Sequence, residues 1–231
     1  MKIRIFAKLA ILLVSIGMFG CSEAGNEVVK IQESALVDKY LADTHYQDVK
    51  ESVDTGTDKI LVTAFFWYGC PHCEKFEAPL NKWKSNLPND VMLEKMPAVW
   101  SEAMVLHAQL FYLAESMENS HDIHFRMFKE TIAIRAEKDL AVQQAHFAKV
   151  FGEFGLSQDE FKQKLFSSKV KSQTQNAIKL MKASGLTGTP SVVVNGKYLV
   201  LGRSVPTTEG VLDIADYLIG KERAAVNKGQ Q

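Results

Sequence analysis

The sequence has few cysteines and no excess of charge of either sign. Both features exclude some classes of protein. Its 231 residues include only three cysteines, and 27 basic side chains balance 27 acidic ones. A chain with no basic excess gives no sign of a nucleic-acid partner. A chain of this length can also build its core without disulfide staples. We therefore expect a globular fold of one large domain or two small ones.

Proline is absent between Ser101 and Ser184, and this stretch also has apolar residues at helical spacing. One such stripe consists of Leu106, Leu110, Leu113 and Met117. Residues three or four apart share one face of a helix, so these stripes predict the buried faces of packed helices. We expect residues 101–184 to form an all-helical block.

Long apolar runs are scarce, and one of the few lies at the N-terminus. Three basic residues precede the run Leu9–Phe19, which is too short to span a bilayer but is typical of a secretory signal. We expect residues 1–21 to be that signal. Met18–Cys21 resembles a lipoprotein cleavage box, in which Cys21 would be lipidated, whereas cleavage after Ala24 would remove Cys21.

The remaining segments alternate between strand and helix character. Lys59–Trp67 is rich in β-branched and aromatic residues and predicts a strand buried on both faces. A helix is expected from Cys70, with Pro71 at its first position, and Pro79 should kink or end it. Val91–Met96 predicts a second strand.

A hairpin and a helix are expected to close the chain. Ser191–Val194 and Lys197–Leu201 flank Asn195-Gly196, a strong signal for a two-residue turn. The final helix is predicted over Thr207–Ile219, capped by Thr207 or Thr208, and residues 221–231 are predicted to be a flexible tail.

Two of the cysteines, Cys70 and Cys73, are separated by two residues. Such a pair suits either zinc binding or redox chemistry, but a zinc site needs four ligands. His121 and His124 lie three residues apart, with no cysteine nearby to complete a site. We therefore expect no metal site and favour redox chemistry.

The attacking group in thiol–disulfide exchange is a thiolate, and the position of Cys70 at a helix start favours that form. His72 adds a donor or a positive charge beside it. A pKa lowered by about 3 units corresponds to about 4 kcal/mol, or about 90 mV for a two-electron couple. Cys73, further into the helix, should act as the resolving thiol.

These motifs together resemble the DsbA-like thiol:disulfide interchange proteins of bacterial periplasms, which belong to the thioredoxin superfamily. The matching segments are Phe65–Cys73 with the following Glu74–Glu77, then Thr189-Pro190, then Val194–Tyr198. The resemblance extends over about residues 42–219. In this superfamily a cis-proline begins the strand that faces the cysteine pair, and Pro190 matches it.

The resemblance implies an α/β thioredoxin fold with an inserted all-helical domain. Residues 22–100 and 185–220 would form the two parts of that fold, and residues 101–184 the insertion. Cys70 would be the nucleophile, Cys73 would resolve, and His72 would tune the redox potential. Thr189-Pro190 would face the disulfide and guide the substrate backbone.

The resemblance also implies the partners and the location. No cofactor is expected beyond the Cys70–Cys73 disulfide. Reduced exported polypeptides would be the substrates, and a quinone-linked membrane protein of the DsbB type would restore the disulfide. We expect a monomer in the periplasm of a Gram-negative bacterium, attached to a membrane if Cys21 is lipidated.

Two departures from the family pattern affect the chemistry. The family often has an acidic residue six positions before the first cysteine, where this chain has Ala64. Lys95 matches a basic residue on the neighbouring strand, and Glu77 could replace its missing acidic partner in proton handling. Thr189 is frequent at its position among isomerases, whereas β-branched aliphatic residues are common there among oxidases.

Three functions therefore compete at the level of sequence. The leading hypothesis is an oxidase that donates its disulfide to exported proteins. An isomerase or reductase of the same fold is the alternative that Thr189 favours. A binding module with incidental thiols is the third.

Overall fold

A computed structural model of the chain describes residues 39–229, with side chains described to residue 226. The expected secretory signal at residues 1–21, the lipidation candidate Cys21 and the alternative cleavage after Ala24 lie outside the described residues. Within the described part of the chain, no helix is both long and apolar enough to cross a membrane.

A five-stranded mixed sheet forms the centre of the fold. Its strands are β1 (Tyr46–Asp48), β2 (Ile60–Phe66), β3 (Val91–Pro97), β4 (Ser191–Val194) and β5 (Tyr198–Val200). They lie side by side in the order β1-β5-β4-β2-β3, with β2 parallel to β3 and the other neighbouring pairs antiparallel. All seven residues of β2 are buried, which confirms the prediction of a strand covered on both faces.

Seven helices accompany the sheet in the described residues. They are α1 (Pro71–Lys84), α2 (Glu102–Ala114), α3 (Ser120–Ala133), α4 (Leu140–Glu153), α5 (Gln158–Leu165), α6 (Ser168–Ser184) and α7 (Thr208–Gly229), with a short 3-10 helix at Gly202–Ser204. Helices α2 to α6 follow one another between β3 and β4. The sheet with α1 and α7 forms a thioredoxin fold, and α2 to α6 form the all-helical domain inserted into it.

Two apolar layers cover the sheet. On one side Val62 and Ala64 pack in a cluster with residues of α1 and α7, such as Leu80 and Ile214. On the other side Phe65 belongs to a larger cluster built mostly by the helical insertion. Both cysteines of the pair belong to this second cluster, so the start of α1 lies where the sheet meets the insertion.

The turn between β4 and β5 has the conformation that its sequence predicts. Asn195 and Gly196 both have positive φ, 52° and 62°, as a two-residue turn of this kind requires. A Cβ atom at Gly196 would collide with the Val53 carbonyl oxygen. Asparagine and glycine are the residues that adopt this conformation most readily, so the turn fixes the register of the hairpin.

The last helix is longer than predicted. Thr207 caps it by accepting a hydrogen bond from the Gly210 amide at 3.1 Å, but α7 continues to Gly229, so a flexible tail from residue 221 is wrong. The Glu222 carboxylate, which is buried, accepts a hydrogen bond from Lys197 at 2.7 Å. Arg223 pairs with Asp90 at 2.6 Å, and these distant contacts hold the extra turns.

Pro79 lies inside α1 and does not end it. Proline removes one backbone hydrogen bond and crowds the preceding turn. Phe76 and Leu80, on either side of Pro79, are both buried against the core. Their packing holds the helix across the proline, so α1 continues to Lys84.

Candidate active site

The cysteine pair lies at the first turn of α1. Cys70 is the N-cap residue, with φ −100° and ψ 110°, and Pro71 is the first helical residue. The amides of Cys73 and Glu74 donate to the Cys70 carbonyl oxygen at 3.0 and 3.2 Å. Both cysteines are free thiols and buried, with exposed fractions of 8% for Cys70 and 2% for Cys73.

The two thiols differ strongly in acidity. A hydrogen bond from the Cys73 thiol is the main cause that lowers the pKa of Cys70 to about 5, against the effect of burial, with help from the backbone amides of Cys73 and His72 and from Thr189. The hydrogen bond to Cys70 and burial raise the pKa of Cys73 far above its usual value. Cys70 is therefore a thiolate at neutral pH, whereas Cys73 keeps its proton.

The loop before β4 faces this pair through a cis peptide bond between Thr189 and Pro190. The Cys70 thiol lies 3.4 Å from the Thr189 carbonyl oxygen and donates to it when protonated. The structure thus brings Cys70 and Thr189-Pro190 together across 119 residues of sequence, as the resemblance implies.

A groove of about 450 Å³ opens beside the cis peptide bond. Its walls include His72, Lys75, Thr189, Pro190, Leu201 and Arg203. The His72 side chain is exposed on this groove, while its backbone amide acts on Cys70. Thr189, whose carbonyl oxygen contacts the Cys70 thiol, lines this groove, so the groove begins one residue contact away from the reactive sulfur.

A buried carboxylate lies one helical turn beyond Cys73. Residues four apart on a helix are neighbours on one face, and Cys73 and Glu77 both lie on the buried face of α1. Glu77 pairs with Lys95 at 2.5 Å, so the structure brings together the two candidates for proton handling. Ala64 lies directly opposite Lys95 in the sheet, where the family often has its acid.

A histidine and a tyrosine complete this polar cluster. The His124 Nε2 atom, on α3, lies 3.3 Å from Glu77 Oε1, and its Nδ1 atom lies 2.9 Å from the Tyr68 hydroxyl. Burial tends to raise the pKa of Glu77, but the contacts with His124 and Lys95 outweigh burial and lower it. Burial and the nearby Glu115 and Glu77 carboxylates raise the pKa of Tyr68, so Tyr68 keeps its proton.

A second chain of hydrogen bonds joins the catalytic turn to the helical insertion. The Trp67 indole donates to His107 Nδ1 at 2.9 Å. His107 Nε2 lies 3.1 Å from Gln143 Oε1, and Gln143 donates in turn to the Glu137 carbonyl oxygen at 2.9 Å. Burial lowers the pKa of His107 to about 4, so its ring is neutral and accepts from Trp67.

The sequence did not indicate the roles of Tyr68, His107 and His124. His124 drew attention only as half of a zinc pair with His121, yet its ring contacts Tyr68 and Glu77 instead. A signal was available, since His124 and Phe128 lie four apart on the apolar stripe of α3. A polar residue on such a stripe indicates a buried hydrogen-bond partner.

Comparison with known proteins agrees with this geometry. The sequence model of the DSBA-like thioredoxin domain matches residues 89–212. The thiol:disulfide interchange protein DsbA of Pseudomonas aeruginosa is 37% identical over 196 residues, which cover 84% of this chain and 92% of the relative. DsbA of Azotobacter vinelandii is 38% identical over 167 residues, covering 72% and 77% of the two chains.

Solved structures give the same result. The crystal structure of Pseudomonas aeruginosa DsbA has a TM-score of 0.73 at 37% identity, covering 82% of this chain and 98% of that one. The oxidoreductase NmDsbA1 from N. meningitidis shares the fold with a TM-score of 0.69 at 21% identity, covering 81% and 96% of the two chains. This chain belongs to the family of DSBA-like thioredoxin domain proteins.

Proposed function

We propose that this protein is a thiol–disulfide oxidoreductase that introduces disulfide bonds into exported polypeptides. The observation that carries the proposal is the asymmetry of the pair at the start of α1. Cys70 lies at the helix N-cap next to the cis Thr189-Pro190 bond and the groove, whereas Cys73 is enclosed. One thiol is placed for attack by a substrate and the other for resolution.

The exchange proceeds in two steps. A substrate thiolate attacks the Cys70 sulfur of the oxidised pair, a mixed disulfide forms, and the bond between Cys70 and Cys73 breaks. The Cys73 sulfur leaves with the electron pair and takes up a proton. The second substrate thiolate then attacks the substrate sulfur in the mixed disulfide, and Cys70 leaves as a thiolate. The substrate is oxidised by two electrons and the pair is reduced.

The environment of the pair favours this direction. A thiolate at a helix N-terminus gains from free amides and the helix dipole, while a disulfide carries no charge and gains neither. Stabilising the dithiol form makes the disulfide a stronger oxidant. We propose that Glu77, held by Lys95, exchanges the proton that Cys73 gains in this step and loses on reoxidation.

The wider setting follows from family membership and from the sequence. We propose a periplasmic monomer of a Gram-negative bacterium, anchored to a membrane if Cys21 carries a lipid. Reoxidation would come from a quinone-linked membrane protein of the DsbB type. His72 and Pro71 would set the redox potential from within the motif.

An isomerase or reductase is the second candidate, because Thr189 lies against Cys70. The resemblance to the thioredoxin superfamily implies this alternative, since threonine is frequent at this position among its isomerases. An isomerase attacks substrate disulfides with its reduced pair, so its resting state would be the dithiol. The resting redox state therefore separates the two candidates.

Trapping of mixed disulfides tests the assignment of the two thiols. Cys73→Ala should accumulate mixed disulfides between Cys70 and exported polypeptides, because the Cys70 thiolate attacks a polypeptide disulfide, one polypeptide thiol is released, and no resolving thiol remains to break the new bond. Non-reducing gels and mass spectrometry would detect them. Cys70→Ala is the matched control and should trap few. Trapping by Cys70→Ala in place of Cys73→Ala would reverse the assignment.

A further inference from the structure

The polar cluster of Glu77, Lys95 and Tyr68 also contains a histidine from the helical insertion. His124 is buried, with 4% of its surface exposed, and it comes from the helical insertion rather than from the thioredoxin part of the fold. Its ring packs edge-on against Phe66, Phe111 and Phe128. A polar ring held in an aromatic cage needs defined partners for both nitrogens.

Each ring nitrogen of His124 has such a partner. Tyr68 keeps its proton and can donate to Nδ1 at 2.9 Å. The bond made by one ring nitrogen decides which nitrogen carries the hydrogen, so donation by Tyr68 assigns the hydrogen to Nε2, which lies 3.5 Å from the Lys95 ammonium. Nε2 also faces Glu77 Oε1 at 3.3 Å, while Lys95 binds the other oxygen of the same carboxylate. Glu77 is thus held by both oxygens.

The cluster also borders a cavity. A cavity of about 450 Å³ is lined by both Lys95 and His124. Other charged or titratable groups around it are Lys84 on α1, Glu94 on β3, Tyr112 and Glu115 at the end of α2, and His121 on α3. Glu77 is not among the residues that line this cavity, so protons from it reach Glu77 by way of Lys95 or His124.

This arrangement compensates for a missing group. Ala64 faces Lys95 across the sheet without an acid, so Glu77 is the carboxylate that the structure pairs with Lys95. A carboxylate on a helix can swing away from its productive position unless neighbouring side chains hold it. A protonatable imidazole that touches both the carboxylate and the cavity can orient it and also carry its proton.

We propose that His124 is a positioning residue for disulfide exchange, which orients Glu77 and passes protons between Glu77 and the cavity lined by Lys95. This inference rests on the proposed role of Glu77 in proton exchange with Cys73. When Cys73 leaves the disulfide as a thiolate, the ionised Glu77 relays a proton to it: His124 passes its Nε2 hydrogen to Glu77, Glu77 passes a proton to Cys73, and His124 regains a proton from the cavity. On reoxidation the proton moves along the same groups in reverse.

The test is the rate of disulfide reduction by dithiothreitol across pH 5 to 9, expressed per dithiothreitol thiolate. His124→Gln keeps a donor for Glu77 and an acceptor for Tyr68 but cannot carry a proton. We expect the rate constant to fall roughly tenfold, less than the hundredfold typical when a direct acid or base is removed. Its dependence on pH should also flatten. The Cys70 thiolate titration, followed at 240 nm, and the equilibrium redox potential should stay unchanged.

A matched control and a second variant make the result specific. His121 lies one turn earlier on α3, lines the same cavity and is exposed, so His121→Gln should leave the rate profile as in wild type. Tyr68→Phe removes the contact that sets the His124 hydrogen, and a smaller loss of rate is expected. Tyr68→Phe also tests the inference if His124→Gln fails to fold.

Comparison of the variants separates the role of His124 from the role of Glu77 on which it depends. If Glu77→Gln slows the reaction while His124→Gln and Tyr68→Phe both match wild type, the role of His124 is wrong and that of Glu77 stands. If Glu77→Gln also matches wild type, the proton-exchange role of Glu77 is wrong, and the inference about His124 is wrong with it. His124→Gln could also shift the redox potential by the same free energy as it shifts the rate constant. That result would assign His124 a purely electrostatic role and overturn the proposal.

Discussion

At the scale of single residues, the different acidities of Cys70 and Cys73 determine how the pair responds to pH. Contacts with Cys73 lower the pKa of Cys70 to about 5, and the pKa of Cys73 is raised. Above pH 5, reduction of the disulfide therefore takes up one proton, on Cys73. Below pH 5 it takes up two.

This difference predicts a break in the pH dependence of the redox potential. The potential should fall by about 30 mV per pH unit above pH 5 and by about 59 mV per unit below it. Equilibration with glutathione or dithiothreitol at several pH values, from pH 4 to 8, would measure both slopes. A uniform slope of about 59 mV through pH 7 would show that Cys70 is protonated at neutral pH.

His72 should move that break. Its exposed ring lies on the groove next to Cys70, so His72→Leu is expected to raise the pKa of Cys70 and lower the redox potential together. Lys75→Leu is a matched control, because Lys75 is exposed on the same helix and lines the same groove. If both substitutions shift the Cys70 pKa and the redox potential equally, the shift comes from the loss of any nearby polar side chain and is not specific to His72.

At the scale of elements, buried hydrogen bonds fasten the catalytic turn to the helical insertion. His107 on α2 accepts from Trp67 and contacts Gln143 on α4. Burial lowers the pKa of His107 from 6.5 to about 4, so the folded protein resists protonation of this ring. The unfolded chain accepts the proton at higher pH and is thereby favoured as the pH falls.

Stability should therefore decrease on acidification between about pH 6.5 and pH 4. Above pH 6.5 the ring is neutral in both states, and below pH 4 it is charged in both, so the loss from His107 is confined to that window. The shift corresponds to about 3 kcal/mol. Urea unfolding at pH 7 and pH 4 would measure it, and His107→Gln should lose that part of the decrease. An unchanged decrease in the variant would exclude His107 as its source.

The end of α7 makes a second set of polar contacts between elements. Glu222 joins α7 to Lys197 and Asn195 of the hairpin, and Arg223 joins it to Asp90 before β3. Removal of Glu222 would break its hydrogen bonds with Asn195 and Lys197, and one such bond contributes about 0.5–1.5 kcal/mol net.

Removing residues 221–231 should therefore lower the free energy of unfolding by about 2 kcal/mol. Thermal or urea unfolding of the two chains would measure the difference. Removal of residues 227–231 alone is the matched control, since it keeps both contacts, and it should have little effect. Equal stabilities of all three chains would restore the prediction of a flexible tail from residue 221.

At the scale of the whole molecule, the parts that were predictable from sequence are those set by local patterns. The strand before Cys70, the Pro71 helix start and the Asn195-Gly196 turn each follow from a few adjacent residues. The contacts of His124 with Tyr68 and Glu77 join residues 56 and 47 positions apart. Local patterns do not encode such distances, so only the fold revealed these contacts.

The resemblance to a known family supplied what local patterns did not. It predicted the approach of Thr189-Pro190 to Cys70, and the departure from the family pattern at Ala64 suggested Glu77 as a substitute partner for Lys95; the structure contains both contacts. The length of α7 and its Glu222 contacts went unpredicted, because the helical pattern weakens after Ile219 and the partners lie far away in sequence.

The sheet, helix α1 and the helical insertion all contribute to one redox couple. Helix α1 carries the thiols, the loop before β4 adds Thr189-Pro190, and the insertion encloses the side of Cys73 and adds His124. We propose that this assembly stabilises the reduced pair through the Cys70 thiolate and so makes the disulfide an oxidant.

The equilibrium redox potential of the Cys70–Cys73 pair, measured against glutathione at pH 7, tests that claim most directly. We predict a potential above about −180 mV, more oxidising than the glutathione pools and than protein disulfide isomerase. A potential near about −270 mV, typical of a cytosolic dithiol reductase, would contradict the oxidase assignment and favour the reductase or isomerase alternative.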